Sequence, residues 1–353
     1  MNKKRIVLTG GGTGGHVMPN IALMEKLKKD NWEIHYIGTK KGVEYSILAH
    51  DKDLKYYSIN AGKLRRYVDI QNLVDPIRII SGYFGAIKIL MRVKPAVVFS
   101  KGGFVTVPVI AAARMLGIPT VIHESDITPG LANKLCIPFA NKICATFPET
   151  LNHLPKSKSV LTGTPIRQSL LAGDRAAARR KYLLKKPTIL IMGGSQGAKV
   201  INENVRQCLP RLLKHFDVIH ICGNNNLSDI KYDGYIQFEF VSDELKDIFA
   251  ASDIVISRAG ANSIFEFLAL KKPMLLIPLS RAQSRGDQCD NAESFKKHGF
   301  AAVLEQENLT PGSLYAAVMD LYEKRHEYIH NFNKADVLDG TQNVMRVIES
   351  VIK

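Results

Sequence analysis

Cysteine is scarce in this 353-residue chain: there are five, at 136, 144, 208, 222 and 289, with no CxxC pair and no HxH or HxxxH beside them. That spacing excludes a disulfide framework and the usual zinc sites, and the five read as buried thiols in a reducing compartment. Long apolar runs are missing too, since no stretch reaches the ~18 uncharged apolar residues of a membrane-spanning helix. The first residues, MNKKRIVLTGGG, show neither an apolar leader nor a small-residue cleavage site, so a cytoplasmic location is expected. Aromatic residues make up 8%, and only Tyr67, Tyr83 and Phe84 lie among the densest basic residues. Single-stranded nucleic acid needs stacking platforms there, so nucleic acid is not an expected partner. Acidic side chains are outnumbered, giving a net charge of +15, and the excess is uneven. Residues 1–164 hold 23 basic and 11 acidic side chains, against 25 and 22 in residues 165–353. The first half should therefore face something anionic.

The segment from 63 to 94, KLRRYVDIQNLVDPIRIISGYFGAIKILMRVK, interleaves apolar and basic side chains. Arg65, Arg66, Ile77, Arg78, Ile80, Phe84, Lys88 and Arg92 suit a lipid interface with an anionic surface. A core-facing amphipathic helix with a solvated basic face fits the same pattern.

Short β-rich apolar segments alternate with helical patterns along the chain. RIVLTGG, EIHYIG, AVVFSKGG, PTVIHES, TILIMGG, DVIHICG, DIVISRAG and PMLLIPLS read as strands of parallel sheets joined by crossover helices. RIVLTGGGTGGHV near the start can be laid on PTILIMGGSQGAKV near the middle, and VVFSKGGF on IVISRAGA. This repeat predicts an α/β chain of two Rossmann-like domains facing across a cleft, with a boundary near SKSVLTGTPIR.

The two glycine loops differ at one place: the first ends on His16, the second on Ala198. Both need glycine for a sharp strand-to-helix turn with N–H groups open to an anion, but only the first adds an acid–base group. Gly10, Gly12 and Gly15 satisfy GxGxxG, yet EIHYIG ends without the acid that an NAD enzyme offers to ribose, which disfavours a nicotinamide oxidoreductase. GxxxxGK[ST] does not occur, so a nucleoside triphosphatase is not expected. The DKD at 51–53 reads as a solvated loop rather than a metal site. In SRAGANSIFE, Ser263 and Glu266 fit a capping box, and Glu266 equally fits a contact to ribose hydroxyls.

Together GGTGGH at 11–16, SKGGF at 100–104, HES at 123–125, GTPIR at 163–167, GGSQGA at 193–198, SRAGANSIFE at 257–266 and DQCDNA at 287–292 resemble the MurG-type glycosyltransferases over essentially the whole chain. The resemblance implies a GT-B fold and inverting transfer of N-acetylglucosamine from UDP-GlcNAc to the C4 hydroxyl of a lipid-linked muramyl-pentapeptide, with no metal or other cofactor. It also implies a peripheral position on the cytoplasmic face of the membrane, with other cell-wall synthesis or division proteins as further partners. The expected domains are 1–162 for acceptor and membrane, 163–338 for UDP-GlcNAc, and a helix at 339–353 returning to the first domain.

By resemblance, Thr13, Gly14 and Gly15 approach the donor sugar and phosphates. Arg167 and Ser195 meet the nucleotide or diphosphate, and the Val241 backbone meets uracil. Ala261, Asn262, Ser263, Ile264, Phe265 and Glu266 take diphosphate and ribose, and Gln288 takes the GlcNAc hydroxyls. At Asp126 and Phe104 the chain departs from the family pattern, and no contact carries over. An unperturbed imidazole titrates at about 6.5, which suits His16 as general base. Its rivals are His123 and Glu124, at the end of PTVIHES. A helix-entry ring bonded to a nearby carbonyl is the structural alternative for His16. A UDP-sugar epimerase of similar fold is the alternative function.

Overall fold

The computed structural model describes residues 3–62, 75–194, 196–335 and 339–352. The chain forms two compact units, Met1–Arg167 with Leu338–Lys353, and Gln168–Val337.

The first unit opens with β1 (Arg5–Thr9), α1 (Gly14–Lys29), β2 (Glu33–Gly38), α2 (Val43–Leu48) and β3 (Lys55–Ser58). It continues through α3 (Asp75–Val93), β4 (Val97–Ser100), α4 (Thr106–Met115), β5 (Thr120–Glu124), α5 (Leu131–Cys136), β6 (Lys142–Ala145) and β7 (Ser159–Leu161). These strands make a seven-stranded sheet in the order β3-β2-β1-β4-β5-β6-β7, with parallel neighbours.

The second unit runs α6 (Arg175–Lys181), β8 (Thr188–Met192), α7 (Lys199–Leu212), β9 (Asp217–Ile221), β10 (Tyr235–Phe238), α8 (Leu245–Ala251) and β11 (Ile254–Ser257). It ends with α9 (Ala261–Ala269), β12 (Met274–Leu276), α10 (Asp287–Lys297), β13 (Ala301–Val303), α11 (Pro311–Glu323) and α12 (Arg325–Lys334). Its six-stranded parallel sheet has the order β10-β9-β8-β11-β12-β13. The last helix, α13 (Gly340–Ser350), belongs to the first unit.

Central strands are apolar at almost every position because helices cover both faces of a parallel sheet. Alternation then divides them between two cores. Ile6, Leu8, Val97 and Phe99 pack with Leu23 and Leu27 of α1 and with Val344 and Ile348 of α13. Val7 and Val98 point the other way, onto Leu90 of α3 and Val109 of α4. In the second unit Ile189, Ile191, Ile254 and Ile256 pack with Val205 and Leu209 of α7 and with Leu314 and Val318 of α11.

In each sheet the order in which successive strands are added reverses between two parallel neighbours, β1 and β4 in the first, β8 and β11 in the second. Carboxyl ends beside such a reversal are where open α/β sheets bind ligands. All four loops of the sequence repeat emerge there.

The division after Arg167 falls later than the expected start of the second domain at residue 163. The Gly-Thr-Pro turn is knitted into the first unit. Asn343 Nδ2 donates to Thr162 O at 3.2 Å, and Ile166 N to Thr341 Oγ1 at 3.3 Å.

Candidate active site

In the first unit the chain leaves β1 through Gly10–Gly12 and enters α1. Gly12 has φ +88, and a side chain at Gly103, itself at φ +93, would strike the Gly11 carbonyl. Glycine is thus required where the loops after β1 and β4 cross. Thr13 is the N-cap residue of α1, and Gly14 and Gly15 open the helix. His16 follows in the first turn, half-buried, with Nδ1 2.9 Å from Gly11 O and 3.2 Å from Thr13 Oγ1. A carbonyl oxygen only accepts, so Nδ1 carries the proton and the neutral ring has its lone pair on Nε2.

Sequence reading missed Glu44, fully buried in the first turn of α2. Its carboxylate accepts from Gly12 N at 3.1 Å, Thr39 N at 3.0 Å and Thr39 Oγ1 at 2.6 Å. A Cβ at Gly11 would lie 2.5 Å from Glu44 Cδ, and one at Gly38 2.8 Å from Cγ. These glycines make room for a carboxylate, a reason that their spacing in the sequence does not reveal.

Lys101, at the end of β4, is also fully buried. Its Nζ lies 2.8 Å from His123 Nδ1 and bonds Ser125 Oγ, while His123 Nε2 lies 2.9 Å from Gly163 O. Burial, reinforced by the Lys101 charge, pushes the His123 imidazole well below its ordinary pKa. The ring is neutral, with Nε2–H given to a carbonyl and the Nδ1 lone pair facing an ammonium. Glu124 accepts from Ser125 N at 2.8 Å, Asp126 N at 3.1 Å, Gly130 N at 2.9 Å and Asn133 Nδ2 at 2.8 Å. The two residues expected as rivals of His16 for the proton thus have their side chains bonded within the first unit, His123 between Lys101 and Gly163 O and Glu124 to the 125–130 loop and Asn133.

In the second unit the glycine loop after β8 turns through Gly194 at φ +93 and Gly197 at φ +74. Gly197 N donates to Gly194 O at 2.9 Å, and a Cβ on Gly197 would strike Cys222 O. Asn202 of α7 ties the loop down from below, giving Nδ2 to Cys222 O at 2.9 Å while its Oδ1 lies 3.0 Å from His220 Nε2. Burial brings His220 down to about 3, so this buried pair stays uncharged. Ser195 lies outside the described residues.

The helix after β11 differs from its sequence reading. Gly260 is the N-cap of α9, so Ser263 and Glu266 lie inside the helix and form no capping box. Ala261, Asn262, Ser263, Ile264, Phe265 and Glu266 make up its first turn and a half, without an acidic residue in the first turn or a side-chain cap. A Cβ at Gly260 or Gly194 would meet open space. Asn291 of α10 donates to Ala259 O at 3.2 Å, which fixes α10 against this loop. Gln288, one turn earlier on α10, accepts from Leu279 N at 3.0 Å and thereby aims its amide group. Val241 is buried just past the end of β10, and Arg167 closes the first unit.

On α3, Ala86, Leu90 and Val93 are buried, while Ile80, Phe84 and Met91 are 57%, 63% and 53% exposed beside exposed Arg78, Lys88 and Arg92. Arg65 and Arg66 lie outside the described residues, as does the side chain of Ile77. Lys28 reaches Asp51 at 3.0 Å and Asp53 at 3.2 Å, so the DKD carboxylates are spent on an ion pair. Among the described residues, no helix is long and apolar enough to cross a membrane, and no group of three His, Cys, Asp or Glu could hold a metal ion.

Two parallel Rossmann-like units in one chain, each with a glycine loop at the reversal of its sheet, are the architecture of GT-B glycosyltransferases. The chain belongs to glycosyltransferase family 28, whose N-terminal domain matches residues 6–145 and whose C-terminal domain matches residues 188–347. It is 53% identical over 350 residues, 98% of this chain and 99% of the relative, to the UDP-N-acetylglucosamine--N-acetylmuramyl-(pentapeptide) pyrophosphoryl-undecaprenol N-acetylglucosamine transferase of Clostridium kluyveri. The protein of the same name from Geobacillus thermodenitrificans is 51% identical, covering 99% of this chain and 100% of the relative. A crystal structure of MurG from Acinetobacter baumannii matches with a TM-score of 0.75 at 26% identity, covering 98% of this chain and 99% of that one. A UDP-N-acetylglucosamine 2-epimerase matches with a TM-score of 0.69 at 14% identity, over 99% and 95%, a likeness of fold alone.

Proposed function

We propose that the protein transfers N-acetylglucosamine from UDP-GlcNAc to the C4 hydroxyl of a polyprenyl-diphosphate-linked N-acetylmuramyl-pentapeptide, with inversion. The observation that carries this reading is the full-length identity, 53%, to a relative named for that transfer. The first unit takes the acceptor and the second the donor.

The chemistry is one displacement. The acceptor O4 gives its proton to His16 Nε2 as the O4–C1 bond forms, and the bond from C1 to the diphosphate oxygen breaks with its electron pair leaving on UDP. The half-buried ring and the Nδ1 contact to Gly11 O support His16 as the base. Negative charge growing on the diphosphate meets backbone N–H groups of the loop after β8 and the first turn of α9, and by the family resemblance Ser195 and Arg167 contribute donors to the nucleotide or diphosphate. Gln288 and Glu266 take sugar and ribose hydroxyls, and the Val241 backbone takes uracil. No metal is assigned a step.

The acceptor is anchored in a membrane, and the exposed face of α3 supports peripheral contact with an anionic leaflet at its cytoplasmic side. Each basic side chain near such a surface adds about 1 kcal/mol, and Ile80, Phe84 and Met91 would enter the interface.

The test is product analysis with UDP-GlcNAc and a short-chain lipid-linked muramyl-pentapeptide. Acceptor-dependent release of UDP with a β-linked disaccharide supports the reading; release or epimerisation without acceptor overturns it. His16→Ala is expected to lower kcat by about 10²- to 10⁴-fold, with the KM for UDP-GlcNAc changed about twofold at most. In sedimentation with vesicles rich in anionic lipid, reversing Arg78, Lys88 and Arg92 to Glu should abolish binding. Unchanged binding would remove α3 from the membrane contact.

A further inference from the structure

We infer that Glu44 is a positioning residue that acts on His16 through the peptide group joining Gly11 to Gly12. The inference rests on the proposal that His16 is the base, and adds a residue that sets its proton. Gly11 C=O and Gly12 N–H belong to one peptide plane and, in a trans peptide, point in opposite directions. On one side Glu44 Oε2 accepts from Gly12 N at 3.1 Å. On the other, Gly11 O accepts from His16 Nδ1 at 2.9 Å. The three groups form a line from carboxylate to peptide to imidazole.

Two consequences follow from that line. A carboxylate pulling on the N–H polarises the peptide and makes its carbonyl a stronger acceptor, since hydrogen bonds in a chain reinforce one another. The stronger acceptor holds the proton on Nδ1 and keeps the basic lone pair on Nε2, where a substrate hydroxyl can meet it. In catalytic triads a carboxylate does this by touching the imidazole directly; here a peptide group stands between them.

The surroundings of Glu44 fit a built device. Thr39 N and Oγ1 hold Oε1 at 3.0 and 2.6 Å, which leaves Oε2 for the loop. Gly11, Gly38 and Gly42 all lack the Cβ that would collide with the carboxyl group or its stem. The second glycine loop, which has Ala198 in the place of His16, supplies a contrast: a Cβ at Gly193, its counterpart of Gly11, would meet the Ala198 backbone nitrogen at 2.5 Å and no carboxylate.

The experiment uses the full chain with 15N-labelled histidine, His16 being assigned against His16→Ala. In the wild type the neutral ring should be mainly the Nδ1–H form. Glu44→Gln should raise the share of the Nε2–H form and lower kcat by about 10-fold or more, with the KM for UDP-GlcNAc within about twofold. Glu44→Asp, which keeps the charge on a shorter arm, should recover part of kcat. A drop in kcat with the ring signals unchanged overturns the inference, because Glu44 would then serve packing alone; unchanged kcat and ring signals overturn it too. If Glu44→Gln does not fold, the wild-type spectrum decides, and a mainly Nε2–H ring overturns the relay. Should His16→Ala keep kcat within a few-fold while Glu44→Gln still shifts the ring signals, the base assignment fails and the relay stands.

Discussion

The ammonium of Lys101 lies fully buried, between an imidazole and a hydroxyl, with Glu124 and Asp126 acting on it only through space. Burial outweighs those two carboxylates and brings its pKa from 10.5 down to about 8. The folded chain then loses this proton near pH 8, whereas the unfolded chain keeps it to about 10.5. Between those values the unfolded state binds more protons, so stability rises with pH across the window. The difference of the two pKa values corresponds to about 3 kcal/mol. Lys101→Met removes that contribution, and the wild type should gain about 3 kcal/mol relative to the variant between pH 8 and 10.5. The single tryptophan, Trp32, is buried in the same unit and reports its unfolding in denaturant titrations at stepped pH. Parallel curves for the two proteins would show that Lys101 does not titrate in this way. SKGGF was legible in sequence as a loop at a strand end, but burial of its lysine was not: it depends on β5 bringing His123 and Ser125 alongside. Glu44 was hidden for the same reason, because its partners Gly12 and Thr39 come from two other segments.

The first turn of α9 shows what separates a glycine kept for packing from one kept for a ligand. Gly103 and Gly197 are forced by backbone that would collide with a side chain, and both have positive φ. Gly260 has φ −69 and nothing within reach of a Cβ, so the fold itself does not require glycine there. A diphosphate seated on the uncapped N–H groups of this helix would come close to that Cα. Gly260→Ala is therefore expected to leave thermal stability within a few degrees of wild type while raising the KM for UDP-GlcNAc by about 10-fold. An unchanged KM would take the donor away from this turn. The strands flanking each reversal were legible because β1, β4, β8 and β11 are apolar on both faces. The strands β3, β7 and β13 were not, with three or four residues each and partly exposed side chains, as in KYYS. The start of α9 was misread because Ser263 and Glu266 match a capping box by spacing, whereas the turn at Gly260 begins the helix earlier.

At the scale of the whole chain, the core clusters described in the two units share no residue, and the C-terminal helix completes one of the two in the first unit. Val344, Met345, Val347 and Ile348 of α13 are buried with Trp32, Leu27 and Ile34, although more than 300 positions separate them in sequence. Periodicity in GTQNVMRVIESVIK shows one apolar stripe, but a stripe does not say which sheet it covers. Thr341 and Asn343 fix the choice by bonding Ile166 and Thr162 of the first unit. Because the core cluster described in the second unit contains no residue of α13, damage to α13 should be felt on one side only. Ile348→Ala removes buried methylenes from the core cluster that holds Trp32 and is expected to cost about 2–5 kcal/mol. In denaturant titration the tryptophan signal should move to a lower midpoint, while amide exchange in β8 and β11, read under native conditions, keeps its wild-type protection. Loss of protection in both sheets together would show that the two cores unfold as a single cooperative block, and that α13 stabilises the chain as a whole.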